Sequence, residues 1–180
     1  MAETQTSTYK ICYATQSDVP VILQLVRELA AYEKALHEVL ATEQTLRDTL
    51  SFPDSNAPGG FTPGFAKTLL ISAAGEDQIA GLALYFHNYS TWNAAPGIYL
   101  EDLFVRPAYR GKGFGGALIQ ALARECARLG CKRLEWNVLK WNEPSIQFYQ
   151  SESVGATRME EWVGMRVDGE RLERLARKDG

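Results

Sequence analysis

The residues best suited to chemistry lie together, between Tyr99 and Gly116. The second half of that segment reads Arg110-Gly-Lys-Gly-Phe-Gly115, followed by Gly116, and joins a β-rich stretch to a helical one. A strand that ends in such a turn and feeds a helix presents backbone N–H groups at the positive end of the helix dipole. Those donors hold phosphate without any charged side chain. Glycine matters there because a diphosphate must approach the main chain where a Cβ would stand. Arg110 and Lys112 add two cations. The first half, YLEDLFV over Tyr99–Val105, sets two carboxylates amid apolar neighbours. Simple strand alternation sends Glu101 and Asp102 to opposite faces. Carboxylates in such a setting are costly unless they are paired or functional. One chemistry that uses them is amine activation. An alkyl ammonium has a pKa near 10 and must lose a proton before it attacks an electrophile, and a carboxylate can hold the cation and take that proton. The structural alternatives stay open: a glycine-rich surface turn, and an ion-paired carboxylate in a sheet.

Gly111, Gly113 and Gly116 also satisfy G-x-G-x-x-G, with Glu135 about 20 residues on, the formal dinucleotide fingerprint. Against it, Arg106–Arg110 separate the strand from the first glycine, no β-α-β pattern precedes the turn, and Glu135 falls inside its strand. There is neither a G-x-S-x-G elbow nor a Walker lysine followed by Ser or Thr. The two histidines, His37 and His87, and the three cysteines, Cys12, Cys126 and Cys131, show no zinc-ligand spacing and no CxxC pair. We therefore expect no metal, and free thiols in a reducing, cytoplasmic compartment. A Cys–His nucleophilic pair has no local support, although spacing alone does not exclude it.

The elements that must position these groups follow from periodicity. Tyr9–Ala14 alternates as a strand. Thr15–Asp18 is a capping-box variant ahead of a helix carrying Ile22, Leu25, Val26 and Leu29. Thr42 caps a second helix with Leu46 and Leu50 on one face. The segment 52–64 is rich in Pro and Gly and reads as a long loop. Lys67–Ala74 and Ile79–His87 read as strands, Asn88–Gly97 as irregular, and Ile98–Val105 as the strand before the turn. After it, Leu118, Leu122, Cys126 and Leu129 form one helical stripe that stops at Gly130. Arg133–Leu139 then reads as a strand, Asn142–Gln150 as a short helix, Trp162–Val167 as a last strand and Gly169–Lys178 as a terminal helix. The expected order is β-α-α-β-β-β-α-β-α-β, an α/β domain over residues 9–180 behind a flexible arm of residues 1–8.

At 180 residues the chain is long enough for one such core, and its net charge of −3 gives no basic face for nucleic acid. No apolar run is long enough to span a membrane. A mildly acidic protein suits a cationic small molecule.

At R-x-x-G-x-G, here Arg110, Gly113 and Gly115, the chain resembles the acyl-CoA diphosphate loop of the GNAT acetyltransferases. Tyr99–Val105, WNEPS over Trp141–Ser145, and Phe148-Tyr149 resemble the diamine, polyamine and thialysine N-acetyltransferases of that superfamily. The likeness continues in Ala14-Thr15, Arg27–Ala30 and Tyr32-Glu33, and covers nearly all of the chain from Tyr9. It implies a single-domain GNAT fold with a central mixed sheet flanked by helices. It also implies acetyl-CoA as co-substrate, a small amine acceptor and a homodimer. On the donor side it implies Leu103, Phe104 and Val105 beside the acyl-CoA chain, Arg110, Gly111, Lys112, Gly113, Phe114, Gly115 and Gly116 at the diphosphate, and Asn142 and Ser145 against CoA. It makes Glu101 the amine anchor and base, and Tyr149 the acid that protonates the departing thiolate. By residue type alone Tyr149 is a core aromatic beside Ile146, the commoner fate of such a residue. Tyr32, Glu33, Trp92, Asp102, Glu135 and Glu161 match or neighbour positions that line the acceptor pocket. Tyr89-Ser-Thr-Trp92 resembles the thialysine branch rather than the polyamine one. The chain is about two residues longer than the family pattern at Gln150–Val154. The implied alternatives are a GNAT acting on protein lysines or N-termini, and a non-catalytic acyl-CoA-binding module.

Overall fold

The computed structural model describes residues 3–177, in two compact units, residues 1–143 and 144–180, each taken here by itself. The first unit is built on a six-stranded sheet in the order β1-β2-β3-β4-β5-β6. Its strands are Thr4–Gln5, Tyr9–Tyr13, Lys67–Ala73, Ile79–Ser90, Ala95–Val105 and Leu134–Trp136. Neighbours from β1 to β5 are antiparallel, and β6 returns parallel to β5, so the sheet is mixed as expected. An antiparallel β3-β4-β5 run ahead of the glycine turn removes the dinucleotide reading, which needs parallel strands joined by a helix.

The helices form where caps and stripes place them. The Asp18 carboxylate accepts the Thr15 N–H and hydroxyl, each at 2.7 Å, and opens the short turn that runs into α1, Val19–Tyr32. Thr42 accepts the Thr45 N–H at the start of α2, Glu43–Thr49. The helix α3, Phe114–Leu129, stops at Gly130, whose φ of +70° suits a residue without a side chain.

Alternation divides the sheet into two faces. Cys12, Ala14, Leu70, Leu82, Leu84 and Phe104 pack with Val19, Ile22 and Leu25 of α1 and with Leu50 and Phe52. The opposite parity, including Tyr13, Leu69, Ile71 and Tyr85, faces α3, which buries Leu118 and Leu122 completely. Within that second face lies a polar cluster. The Tyr13 and Tyr85 hydroxyls are 2.8 Å apart, and Arg128 donates to both oxygens of the fully buried Glu125 at 2.8 and 2.6 Å. The Arg128 hydrogen bonds hold the Glu125 carboxyl below its usual range, and burial pushes the Tyr13 phenol up to about 12.

Removing the cation strands the buried anion. Arg128→Ala is therefore expected to lower stability by about 2 kcal/mol, less than for a fully buried pair because Arg128 is half exposed. Glu125→Leu with Arg128→Ala should recover most of that loss. Urea midpoints at pH 7 check both. Because the folded pKa of Glu125 is depressed, its contribution is present above about pH 4.3 and is lost as pH falls through the folded value.

Four expectations change. Thr4–Gln5 of the supposed loose arm pairs with Lys10 and Ile11, while Met1 and Ala2 lie outside the described residues. Asn88–Gly97 is irregular only in the turn at 91–94: Asn88↔Gly97, Tyr89↔Pro96 and Ser90↔Ala95 extend the β4–β5 hairpin. Pro96 and Gly97 are breakers read singly, but ladder pairing overrides them. The strand expected over Arg133–Leu139 shortens to Leu134–Trp136, because its pairing with β5 ends at Leu100, where the register of β5 shifts. Trp162–Val167 forms no strand, since alternation does not make a strand without a partner.

The long loop is closed rather than open. Phe52, Asp54 and Ser51 bond to Thr62 and Gly60, and Phe61 packs edge-on against Tyr13 at 4.8 Å. The second unit holds the rest of α4, Glu143–Gln150, and α5, Gly169–Ala176, with Lys178 of the expected helix outside the described residues. The extra residues after Gln150 fold into a turn: Gly155 N–H donates to Ser151 O and Ala156 N–H to Tyr149 O.

Candidate active site

The five residues between β5 and the first turn glycine act as a bracket. Arg106 donates through Nε and a terminal nitrogen to both Glu28 oxygens of α1, each at 2.9 Å, and through the other to Ile79 O at 2.7 Å. The Tyr109 hydroxyl donates to Glu76 at 2.6 Å. The chain then reverses through Gly111 and Gly113, at φ +73° and +81°, values that disfavour any Cβ. The amides of Phe114, Gly115 and Gly116 precede the first intrahelical bond, from Ala117 N–H to Gly113 O. They are the donors that a helix leaves over for an anion. With Lys112 and Arg110 beside them, the turn fits a diphosphate.

Among the described residues no second strand pairs along the half of β5 that leads to this turn, and in that sense its edge is open. Pairing with β6 ends at Leu100↔Trp136, while β5 continues to Val105. The Arg106 N–H bonds to Ala80 O, so even-numbered residues in this half of β5 direct their main chain at β4. By alternation the main-chain groups of Leu103 and Val105 point the other way, toward the gap. The Arg110 Nε already donates to Val105 O at 2.9 Å. Phe104 departs from the expected role: its main chain faces β4 and its buried ring belongs to the α1 core. An extended thioester-bearing chain could pair along Leu103 and Val105 and deliver its diphosphate to the turn.

Between the open and the paired halves the strand breaks register. Leu84 faces Asp102 and Tyr85 faces Leu100, so Glu101 is the extra residue of a bulge. Parity reverses across it. Leu100 shares the α3 face with Tyr85, whereas Asp102 shares the α1 face with Leu84. Simple alternation does not carry through Glu101, and it is the register beyond the bulge that sets the face of Asp102. Burial also differs from expectation: Glu101 is exposed, and Asp102 is the partly buried acid. Burial pushes the Asp102 carboxyl up to about 6, helped by the negative charges of Glu101 and Glu33. Glu33, just past the end of α1, is also raised by burial. Three carboxylates thus meet at the bulge, and the negative charge they gather there favours a cation.

Tyr32 joins the two halves of the site. Its hydroxyl donates to Asn142 Oδ1 at 3.0 Å, and the Arg110 guanidinium lies over its ring at 5.1 Å. Sequence reasoning missed the Arg106–Glu28 clamp, because a bidentate pair across 78 residues has no local signature. Other expected residues lie elsewhere. Trp92 is almost fully exposed at the β4–β5 hairpin tip, roughly 20 Å along β5 from Asp102. The Glu135 carboxylate accepts from Asn88 Nδ2 at 2.6 Å and lies 2.7 Å from Arg133 Nε as an ion pair. Ser145, Tyr149 and Glu161 belong to the second unit. There Tyr149 is half-buried against Phe148, with ring centroids 5.2 Å apart, and Glu161 is exposed in irregular chain. Burial pushes the Cys126 thiol up to about 11 and raises that of Cys12, the reverse of a nucleophilic cysteine. Among the described residues no cluster of His, Cys, Asp and Glu is arranged to hold a metal, and no helix is long and apolar enough to cross a membrane.

Residues 30–155 match the profile of the Acetyltransferase (GNAT) family. The chain is 38% identical to the thialysine N-epsilon-acetyltransferase of Bos taurus, over 92% of this chain and 95% of that one. It is 34% identical to the L-ornithine N5-acetyltransferase of Arabidopsis thaliana, over 92% and 87%. Among solved structures it is similar to an integron cassette protein from the mobile metagenome of V. cholerae. That match has a TM-score of 0.73 at 25% identity, over 97% of this chain and all of the other. An aminoglycoside acetyltransferase from a soil metagenome shares the fold, with a TM-score of 0.68 at 19% identity over 89% and 95%.

Proposed function

Because the chain belongs to the GNAT acetyltransferase family, we propose that it moves the acetyl group of acetyl-CoA to the primary amine of a small cationic acceptor. One observation carries this reading. The open β5 edge, which ends in the diphosphate turn, starts at the bulge where Glu33, Glu101 and Asp102 gather. A donor lying along that edge would bring its reactive end to the carboxylates that hold the amine.

The chemistry follows from the groups. The acceptor enters as an ammonium and is held by the acids at the bulge. Glu101, exposed and without an ion-pair partner among the described residues, serves as anchor and proton acceptor, directly or through water. Asp102 beside it deepens the negative potential. The neutral amine attacks the thioester carbonyl, a C–N bond forms, and the C–S bond breaks as the tetrahedral adduct collapses. Tyr149 supplies the proton that leaves with the thiol, and no covalent enzyme intermediate is used. Asn142 and Ser145 assist in holding CoA. One domain over residues 9–180 carries the activity in the cytoplasm, as a homodimer. Exposed Trp162, Val163 and Met165 support the dimer as surface that a second copy would cover. Light scattering showing a monomer at micromolar concentration would remove it.

A thiol-release assay with acetyl-CoA tests the reading across thialysine, lysine, ornithine, putrescine, spermidine, spermine and a lysine peptide. Turnover is expected to be strongest with one of the small amines. Activity confined to the peptide would replace the proposal with a protein acetyltransferase. Acetyl-CoA binding with silence on every acceptor would favour a non-catalytic module.

A further inference from the structure

At the far end of α3 from the diphosphate turn, two of the three free cysteines meet. The helix stops in a double hydrogen bond: Gly130 N–H donates to Ala127 O at 3.3 Å, and Cys131 N–H to Cys126 O at 2.8 Å. These two bonds make a Schellman motif, which folds the side chain just past the helix end back onto the last turn. The contact is usually apolar, but here both partners are cysteines. Main-chain bond lengths across that 2.8 Å bond hold the two Cα atoms within about 6.7 Å of each other. A disulfide spans Cα separations of about 4.4–6.8 Å. The thiols themselves lie within hydrogen-bonding reach: burial first, and then the Cys131 thiol, hold the Cys126 thiol above its usual range. Cys126 is buried and donates its S–H to Arg133 O at 3.7 Å, whereas Cys131 is half-buried and meets solvent. Cys12 packs with Leu70 and Leu82 in the α1 core, across the sheet from α3.

From this we infer that Cys126 and Cys131 form a redox-active dithiol, a modification site that a peroxide closes to an intramolecular disulfide. Acetyl transfer uses neither thiol, and the inference does not rest on it. Burial keeps Cys126 protonated and away from the oxidant, so the first step falls to Cys131. Its thiolate attacks one peroxide oxygen, the O–O bond breaks, and Cys131 becomes a sulfenic acid as one water leaves. The Cys126 sulfur then attacks the Cys131 sulfur. An S–S bond forms, the S–O bond breaks, and the departing hydroxide takes the Cys126 proton to leave as a second water. Two thiols are oxidised and one peroxide is reduced to two waters. The ladder beside the pair survives the change. Arg133 O loses the Cys126 S–H but keeps Ile98 N–H at 3.0 Å, so β6 still starts in register with β5. The φ of +70° at Gly130 already makes the reversal that the ring needs.

The test is peptide mapping of the full chain after hydrogen peroxide, quenched in acidic denaturant with a maleimide that blocks every remaining thiol. Trypsin cuts after Arg124, Arg128 and Lys132, which puts Cys126 in the peptide Glu125–Arg128 and Cys131 in Leu129–Lys132. The two peptides should be recovered joined, lighter than their sum by two hydrogens, with Cys12 blocked by maleimide. The protein should run as a single chain on a non-reducing denaturing gel, and dithiothreitol should return both thiols. Cys126→Ser should stop at a Cys131 sulfenic acid that dimedone traps, and Cys131→Ser should keep Cys126 as a thiol. Circular dichroism matching wild type shows that each variant is folded. Four results would each overturn the inference: Cys131 driven to sulfinic acid while Cys126 stays a thiol, a bond between two chains, a bond through Cys12, or both thiols unreacted under peroxide that fully oxidises free glutathione.

Discussion

Tyr149→Phe is expected to lower kcat by about a hundredfold or more while leaving acetyl-CoA affinity within about twofold. The substitution removes one oxygen. Phenylalanine keeps the ring that rests on Phe148 and the Tyr149 carbonyl that receives Ala156 N–H in the turn beyond. If the hydroxyl protonates the departing sulfur, its loss falls on the transition state, where the C–S bond is breaking, and hardly on the ground state. A kcat effect without a Kd effect is the signature of an interaction made only there. A phenol that merely completed a core would shift the melting temperature and leave kcat in place. Single-turnover rates at saturating acetyl-CoA, with Kd from calorimetry, separate the cases, and equal turnover by the two proteins would remove the acid role.

The helices and the central strands were legible because their signals are local. Asp18 and Thr42 begin helices, and Gly130 ends one, through bonds spanning three or four residues. The stripe Leu118, Leu122 and Cys126 needs only one helical face. What failed depends on partners. Asn88–Ser90 and Ala95–Gly97 are strand because each holds the other across the turn at 91–94, against the turn propensities of Asn, Pro and Gly. Trp162–Val167 has strand composition and no ladder.

The site divides along the same line. The diphosphate turn can be read from spacing, since its glycines and the following helix are contiguous. The bulge cannot. It is a one-residue mismatch between strands, and alternation across Glu101 and Asp102 looks regular until Leu84 and Tyr85 are placed opposite. That mismatch puts Asp102 on the α1 face with Glu33, and it decides which acid is buried. The type of chemistry was therefore visible in the sequence, whereas the roles of neighbouring carboxylates were not.

The bulge makes a second prediction, in which stability and function move in opposite directions. In the free protein Asp102 titrates near 6, above the 3.8 of an unperturbed group, chiefly through burial and then through Glu101 and Glu33. A carboxyl with a raised folded pKa contributes stability that is fully present below its unfolded pKa and lost as pH rises through the folded one. The native state therefore becomes relatively less stable between about pH 4 and 6, and above that range it carries the ionised group at a penalty. Two pKa units correspond to nearly 3 kcal/mol at full effect, and solvent at the partly exposed site reduces this to about 1–2 kcal/mol. Asp102→Asn keeps the shape and removes the charge. It should raise the urea stability of the ligand-free protein by that amount at pH 8, with the gain vanishing near pH 4. The same change should weaken ammonium acceptors about tenfold or more at neutral pH, because the cation loses the charge that made the empty site unfavourable. A variant neither stabilised at pH 8 nor impaired toward amines would show that Asp102 is not part of the cation site. Stabilisation without impairment would leave Glu101 and Glu33 to hold the acceptor alone.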